Sequence, residues 1–350
     1  MKRTILFITA LMAVFLMSPA KTIAQPFDHA GQYIEYIGKA NEKLTAIYLS
    51  YISAVAHNKS ARKQEKRRNE VVNAIIDTKV DIMALSPWKG DKTYKDTTIA
   101  YLKILNSVFN EDYAKIVNME EIAEQSYDAM EAYMLAQEKA SEKLNEAAEG
   151  QHKKTKEFAK KYDVKLVEGE SEISIKSKIT SQVMKHNNEV YLVFFKPYKQ
   201  EIYLLEALGK KNLNAIEQNI NSLEKFASEG LQKLKTIKPY SNDPILIDAC
   251  RQALNFYKSE AIQSKKLTDF ILKSEAFEKK RKTFESLRPK DRTQKEIDDF
   301  NKAVNDINAA GKEYNSLNNQ LNKERTEIIN NWNKKSNSYN DQYTPVQKKQ

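Results

Sequence analysis

Apolar residues recur every three or four positions along almost the whole chain after Phe27, which is the spacing of one buried helix face. The clearest period lies near the C-terminus, where spacings of four and three residues alternate. Its positions are Phe300, Val304, Ile307, Gly311, Tyr314, Asn318, Leu321, Arg325, Ile328 and Trp332. This heptad pattern predicts a helix that packs along a neighbour. Because Gly311, Asn318 and Arg325 interrupt it, we expect packing inside a bundle, with self-association through the same face as the alternative.

The rest of the chain is predicted to be helical wherever the period is unbroken, with ends set by Pro, Gly and capping residues. The predicted helices cover residues 28–57, 60–83, 93–117, 118–162, 172–208, 212–234, 245–272, 274–287 and 293–332. Asn118 with Glu121, and Thr293 with Glu296, have the spacing of a capping box, so helices are expected to start there. Pro197 is expected to bend its helix. The sequence therefore predicts an all-α fold.

The order of the helix breaks indicates two similar halves. Pro87-Trp88 and Pro239-Tyr240 each end the second helix of a half, and at the same offset of 152 residues Asp91 aligns with Asp243. Upstream, the first helices of the halves align at an offset of 146 residues. These matches favour an internal duplication of a helical unit. A chance alignment of amphipathic helices is the alternative.

The domain boundary is predicted at the weakly patterned stretch before residue 172. We expect an elongated molecule of two tandem antiparallel bundles, at 25–168 and 169–335. Residues 336–350 lack the helical period and are predicted to be a disordered tail.

The N-terminus has the parts of a secretory signal peptide, predicted at residues 1–24. Lys2 and Arg3 precede an apolar run at 4–17, and small residues follow it. Cleavage is expected after Ala24, with Ala20 as the alternative site. The apolar run is shorter than the ~20 residues that span a bilayer, and charges or Pro break every later candidate. The mature chain is therefore expected to be exported and not membrane-spanning.

Composition narrows the chemistry further. The chain has eight Gly and eight Pro in 350 residues, and its single Cys excludes an intrachain disulfide and a cysteine-based metal site. Lys and Arg number 57 against 47 Asp and Glu, a net charge of +10. Three of these cations lie in the predicted signal, so the mature chain carries +7. The excess belongs to the second half, since residues 25–169 hold 22 cations and 23 acids whereas 170–350 hold 32 and 24.

Familiar catalytic and cofactor motifs are missing from the sequence. Glu149-Gly150-Gln151-His152 is the one Glu-x-x-His match, and a di-iron bundle needs two. Neither a Gly-x-Ser-x-Gly motif nor a phosphate-binding glycine loop is present. Cys250 lies on or beside an apolar helix face, as buried cysteines do. We expect no enzymatic activity, no cofactor and no metal site.

An acidic stripe marks the fourth predicted helix. Its members are Glu121, Glu124, Asp128, Glu131, Glu138 and Glu142. Carboxylates at this spacing could collect divalent cations, but the interleaved Lys139 and Lys143 favour a solvated face with local ion pairs. With the Tyr-rich first helix, the stripe motivates one alternative function, a periplasmic bundle that binds a small ligand or a metal.

Basic clusters are the main indication of a partner. The candidate patch for an anionic partner consists of Arg62, Lys63, Lys66, Arg67 and Arg68. Further clusters lie at 153–161 and 279–282. Because an exported chain is separated from the nucleic acid of the cytoplasm, we expect no nucleic-acid partner. Lipid headgroups or acidic glycans are then the candidate anionic partners. Solvated helix faces are the alternative.

Four segments carry a resemblance to a known family. They are 53–68 (SAVAHNKSARKQEKRR), 110–140 (NEDYAKIVNMEEIAEQSYDAMEAYMLAQEKA), 200–208 (QEIYLLEAL) and 322–333 (NKERTEIINNWN). The chain resembles a family of signal-bearing, helical bacterial surface proteins, found mostly in Bacteroidota and with a leptospiral namesake. The resemblance implies a helical fold and a place in the periplasm or on the surface of a Gram-negative cell. It brings no activity and no binding residues. The expected function is a non-enzymatic helical scaffold that binds an envelope protein or a glycan.

Overall fold

The computed structural model describes residues 27–56, 61–167 and 172–344. The predicted signal peptide and both cleavage sites lie outside these residues. The α-helices are α1 Ala30–Ala56, α2 Ala61–Ala84, α3 Thr93–Ser107, α4 Tyr113–Ala123, α5 Tyr127–Lys161, α6 Glu172–Gly209, α7 Leu213–Leu234, α8 Ile245–Ser286 and α9 Gln294–Tyr343. A π-helical turn at Val108–Asp112 joins α3 to α4 in one rod. The described residues contain no β-strand, which confirms the all-α prediction.

The first bundle packs α1, α2, the α3–α4 rod and α5 around an aromatic core. Short connections join successive rods, which therefore run antiparallel. The buried residues of this core lie between Ala30 and Phe158. Around the π-helical turn, Phe109 stacks on Tyr113 with ring centroids 5.0 Å apart, and Tyr51 meets Tyr113 edge-on at 5.5 Å. Large rings thus fill the space that the wider turn opens.

The second bundle packs α6, α7, α8 and α9 around a separate core whose buried residues lie between Val183 and Tyr339. Gly230 allows α7 to approach its neighbours closely, because a Cβ there would lie 3.1 Å from Leu254 and 3.2 Å from Val193. α9 contributes buried positions of the predicted heptad face, including Leu321 and Trp332. The part of the face from Tyr314 to Trp332 packs on the core of this bundle, as expected, while Phe300 packs on α8 beyond it. None of the helices in the described ranges has the length and hydropathy needed to cross a bilayer.

An aspartate fixes the loop before α3 in the first bundle. Asp91 Oδ1 accepts a hydrogen bond from the backbone N–H of Thr93 at 2.9 Å, at the start of α3. Asp91 Oδ2 accepts one from the hydroxyl of Tyr162 at 2.9 Å, just after the end of α5. Trp88 packs edge-on against the Tyr162 ring. The loop is thereby tied to the last helix of its bundle.

The second bundle repeats this arrangement before α8. Asp243 Oδ1 accepts from the N–H of Ile245 at 2.9 Å, and Asp243 Oδ2 accepts from the hydroxyl of Tyr343 at 2.8 Å, at the end of α9. Tyr240 packs edge-on against Tyr343. Asp243 is the residue that aligns with Asp91 at the offset of 152. These matching contacts favour the internal duplication, which stays a prediction.

Two of the predicted breaks between helices are wrong. Asn118 lies inside α4, because the π-helical turn continues the rod, and the break comes at 124–126 instead. Ser126 is the true N-cap of α5, since its Oγ accepts from the N–H of Ala129 at 3.1 Å. α8 runs unbroken to Ser286, through the predicted gap at residue 273. The Thr293 capping box is confirmed.

The prediction of a disordered tail from residue 336 is wrong up to residue 344. α9 continues to Tyr343, and the Tyr339 side chain is fully buried, with its hydroxyl 2.9 Å from Nδ1 of His186. Trp332, Tyr339 and Tyr343 extend the heptad period by steps of seven and four residues. Residues 345–350 lie outside the described part of the chain.

Truncation tests this correction. A chain that ends after Lys335 loses Tyr339 and Tyr343, and its free energy of unfolding should fall by at least about 3 kcal/mol because a large core side chain is removed. A chain that ends after Thr344 keeps both contacts and should change by less than about 0.5 kcal/mol. Urea unfolding followed by circular dichroism measures both. Equal stability of the two truncated chains would contradict a packed C-terminal turn.

Candidate functional site

A groove of about 710 Å³ lies where the two bundles meet. α5 forms one wall, α6 forms the opposite wall, and the C-terminal half of α1 forms the floor. The bundles touch beside it through a small cluster of Ala123, Met130 and Phe195. The groove therefore combines residues from both halves of the chain, and neither bundle contains it alone.

The floor of the groove is apolar and aromatic. Leu49 and Ile52 are buried there, while Tyr48 and Val55 are partly buried. The Tyr48 ring meets Phe109 edge-on at 5.6 Å, so it is held by the core of the first bundle. Burial raises the pKa of Tyr48 to about 12, and its hydroxyl therefore stays neutral at physiological pH. The floor offers flat apolar surface with few polar atoms.

The α5 wall has a helix-packing period. Asp128, Glu131, Leu135, Glu138 and Glu142 line it at alternating spacings of three and four residues. Leu135 is 52% exposed, a large apolar side chain in the middle of the wall. This is the spacing by which a helix packs along a neighbour, and no described helix covers this face of α5.

The α6 wall is more polar and less acidic. Ser177, Ser181 and Lys185 succeed one another at four-residue intervals, with Leu192 further along. Lys185 reaches across the groove to Glu138, with its Nζ 2.9 Å from the carboxylate. Hydroxyl groups therefore face carboxylates across the opening.

Acidic side chains outnumber basic ones in the groove lining. Asp128, Glu131, Glu138, Glu142 and Glu189 line it, against the single Lys185. Lysines at the rim offset part of this charge, since Lys139 pairs with Glu142 at 2.9 Å and Lys233 with Glu189 at 3.2 Å. Asp128 and Glu131 have no basic partner among the described residues. The groove is thus a negative site with an apolar floor.

The predicted acidic stripe is partly assembled here. Four of its members, Asp128, Glu131, Glu138 and Glu142, line the groove, while Glu124 lies outside it and the Glu121 side chain is not among those described. The described residues contain no group of three or more His, Cys, Asp or Glu side chains placed to hold a metal ion. The stripe consequently shapes a groove wall.

The predicted basic patch is divided by the structure. Arg62, Lys63 and Lys66 are exposed near the start of α2, and Arg67 pairs with Glu70. Arg68 does not belong to the surface, because it is only 7% exposed. The five residues therefore do not form one anion-binding patch, and Arg68 corrects that prediction.

Arg68 serves the fold of the first bundle. Its guanidinium donates to both carboxylate oxygens of Glu65, at 2.7 and 2.9 Å, and to the carbonyl oxygen of Phe109 at 2.7 Å. Phe109 belongs to the π-helical turn. An arginine on α2 thus satisfies a carbonyl group of that turn, which positions the rings beneath the groove.

A buried ionic cluster in the second bundle was not predicted. Arg325 donates to Glu201 Oε1 at 2.5 Å and to Glu260 Oε1, and each glutamate is 1% exposed. Burial, followed by the charge of Glu201, raises the pKa of Glu260 to about 9. The one signal in the sequence was Arg325, a charged residue in the heptad face.

This cluster does not lie at the candidate site. None of its three side chains lines the groove, and the neighbouring Tyr257 is fully buried as well. A protonated Glu260 leaves Arg325 and Glu201 as one compensated ion pair. Cys250 is also buried, and burial raises the pKa of its thiol far above the usual range. These groups belong to the packed interior.

Comparisons with protein-family models, with curated proteins and with solved structures find no match to this chain. The family resemblance of the four quoted segments therefore stays an expectation.

Adjacent arginines provide a matched test of the buried contact. Arg68→Ala should lower the free energy of unfolding by about 2 to 3 kcal/mol, because it leaves the Phe109 carbonyl without its side-chain donor and Glu65 without its cation. Arg67→Ala removes an exposed pair and should cost less than about 1 kcal/mol. Urea unfolding of both variants gives the comparison. Equal costs would mean that Arg68 does not support the π-helical turn.

The buried cluster predicts a pH-dependent stability. Because the pKa of Glu260 is about 9 in the folded state against 4.5 when unperturbed, the folded chain binds an extra proton between these values. The bound proton stabilises the folded state fully below about pH 4.5, and this contribution is lost as the pH rises to about 9. Glu260→Gln cannot ionise at this position. The melting temperature of the variant should therefore rise relative to that of the wild type between pH 5 and pH 9.

Thermal melts at several pH values measure this difference. Glu275→Gln removes an exposed carboxylate from the same helix and should keep the wild-type pH profile. If the melting temperature of Glu260→Gln also followed the wild-type pH profile, Glu260 would be ionised in the folded protein at neutral pH.

Proposed function

We propose that the protein is a non-enzymatic envelope protein that holds a helical segment of a partner protein in the groove between its bundles. The observation that carries the proposal is the α5 wall, where heptad-spaced positions and the half-exposed Leu135 have no helix against them in the described chain. Large exposed apolar side chains in a polar rim are typical of interaction sites. The predicted signal peptide and the family resemblance supply the location.

A helix fits the length of the groove. The lining of α5 extends from Asp128 to Asn145, which is about 25 Å at 1.5 Å per residue. Two walls and a floor of side chains are what a third helix packs against when its ridges enter the grooves of its neighbours. A partner segment of about 17 residues would cover this length.

The chemistry of the lining defines the partner. An apolar stripe on the helix would pack on Leu135, Ile52 and the Tyr48 ring. Flanking lysines or arginines would meet Asp128 and Glu131, which have no basic partner among the described residues. Complementary charge speeds association and excludes acidic helices. The partner is therefore a cationic amphipathic helix.

A small ligand is the second candidate. A volume of about 710 Å³ lies in the usual range for small-molecule sites, and the aromatic floor suits a flat apolar compound. Native mass spectrometry of protein purified from its own envelope would reveal such a compound as a discrete added mass.

A designed peptide tests the proposal directly. An 18-residue amphipathic helix of Leu and Lys, labelled with a fluorophore, should bind the protein, and a Leu and Glu helix of the same pattern should not. Leu135→Lys should weaken binding at least tenfold, because it places a charge in the apolar centre of the groove. Fluorescence anisotropy gives the dissociation constants.

Leu272→Lys is the matched control, since Leu272 is 49% exposed on a helix away from the groove. It should leave the affinity unchanged. Failure of the Leu and Lys peptide to bind, or equal weakening by both variants, would contradict a helix-binding groove. In the envelope, a photocrosslinking residue at position 135 should give one discrete adduct that is missing at position 272.

A further inference from the structure

α8 and α9 extend beyond the second core as a two-helix arm, residues 272–309. All of these residues are described, and none of them is buried. The two helices hold each other through Phe284 and Phe277, which stack on Phe300 at 4.2 and 6.1 Å. From Ile271, the last buried residue of α8, to Ser286 the helix rises about 22 Å. The end of the arm is therefore remote from the packed core.

The end of the arm carries a local excess of cations. We call residues 279–295 the tip. Its cations are Lys279, Lys280, Arg281, Lys282, Arg288, Lys290, Arg292 and Lys295, and its acids are Glu285 and Asp291. The tip thus has a net charge of +6, which the adjoining Glu278 and Glu296 reduce to +4. Only the run at 279–282 was evident as a cluster in the sequence, because the turn brings the others beside it.

Part of this charge is compensated by acids in the tip or directly beside it. Arg281 pairs with Glu278 and Glu285, and Arg288 pairs with Asp291. Lys280 donates to the carbonyl oxygen of Asp299, and four other lysines are exposed with neither a carboxylate nor a carbonyl partner in the described chain. They are Lys279, Lys282, Lys290 and Lys295. These lysines are available to an external anion.

The uncompensated lysines surround the end of the arm. Lys279 and Lys282 lie on α8, Lys290 lies in the connecting turn and Lys295 lies on α9. Arg292 covers the Phe284 ring, with its guanidinium carbon 4.3 Å from the ring centre. A projecting end of this kind can approach a flat, charged surface. A linear polyanion is more typically bound along a continuous groove or stripe.

We propose that the tip of the arm binds the anionic headgroups of a lipid bilayer surface. Lysines near an anionic surface are attracted to it within about one Debye length, roughly 8 Å at physiological ionic strength. The arm holds the two bundles clear of that surface. This binding is independent of the groove, and the two sites together would place a helical partner beside a membrane.

Vesicle co-sedimentation tests the proposal. The purified protein should bind vesicles that contain phosphatidylglycerol and should not bind vesicles of phosphatidylcholine alone. The triple variant Lys279→Glu, Lys282→Glu, Lys290→Glu should bind the anionic vesicles at least about 100-fold more weakly. High salt, near 1 M, should release the wild-type protein because the Debye length falls to about 3 Å.

The control makes the same charge change elsewhere. Lys153→Glu, Lys156→Glu, Lys160→Glu alters three exposed lysines of α5 and should weaken binding less than fivefold. Far-ultraviolet circular dichroism and melting temperature should match the wild type for both variants, since the altered side chains are exposed. Equal weakening by the two variants would overturn the tip as the site. Binding to a soluble heparin fragment but not to anionic vesicles would overturn a lipid surface as the partner.

Discussion

Burial of one apolar stripe on each long helix is the constraint on which the whole structure depends. With few glycines and prolines to shape loops, the chain has little besides helix packing to stabilise it. Four rods close one core in the first half and four helices close another in the second. α6 is the exception, because Val190 faces the second core while Phe195 packs against the first bundle at the junction. The groove exists because α5 and α6 meet there without closing completely.

Several buried or partly buried polar side chains tie the helices and loops together. Arg68 supplies a donor to the π-helical turn, and Asp91 and Asp243 supply acceptors at the loops before α3 and α8. Arg325 holds two glutamates in the second core. Arg68, Arg325 and the two aspartates also join elements that are distant in sequence, since Asp91 accepts from Tyr162 and Asp243 accepts from Tyr343. They fix the relative positions of helices whose apolar stripes would tolerate several registers.

The charges that are left on the surface are segregated. The wall of the groove is acidic, and the tip of the arm is basic, although the two lie in different halves of the chain. Whole-chain charge conceals this, since a net +10 says nothing of where the acids collect. The arrangement suits a protein that contacts two partners of opposite charge. It follows from which helix faces the two cores leave uncovered.

The sequence alone determined the helical class and most helix ends, because those depend on local period and capping, as at Thr293. Tertiary structure decided the rest. Whether Arg68 lies on the surface or inside depends on a carbonyl 41 residues away, and the order of residues 336–344 depends on His186 receiving Tyr339. The groove likewise requires α1, α5 and α6 together. A periodic pattern shows that a face is buried, but only packing shows which neighbour buries it and which face stays open.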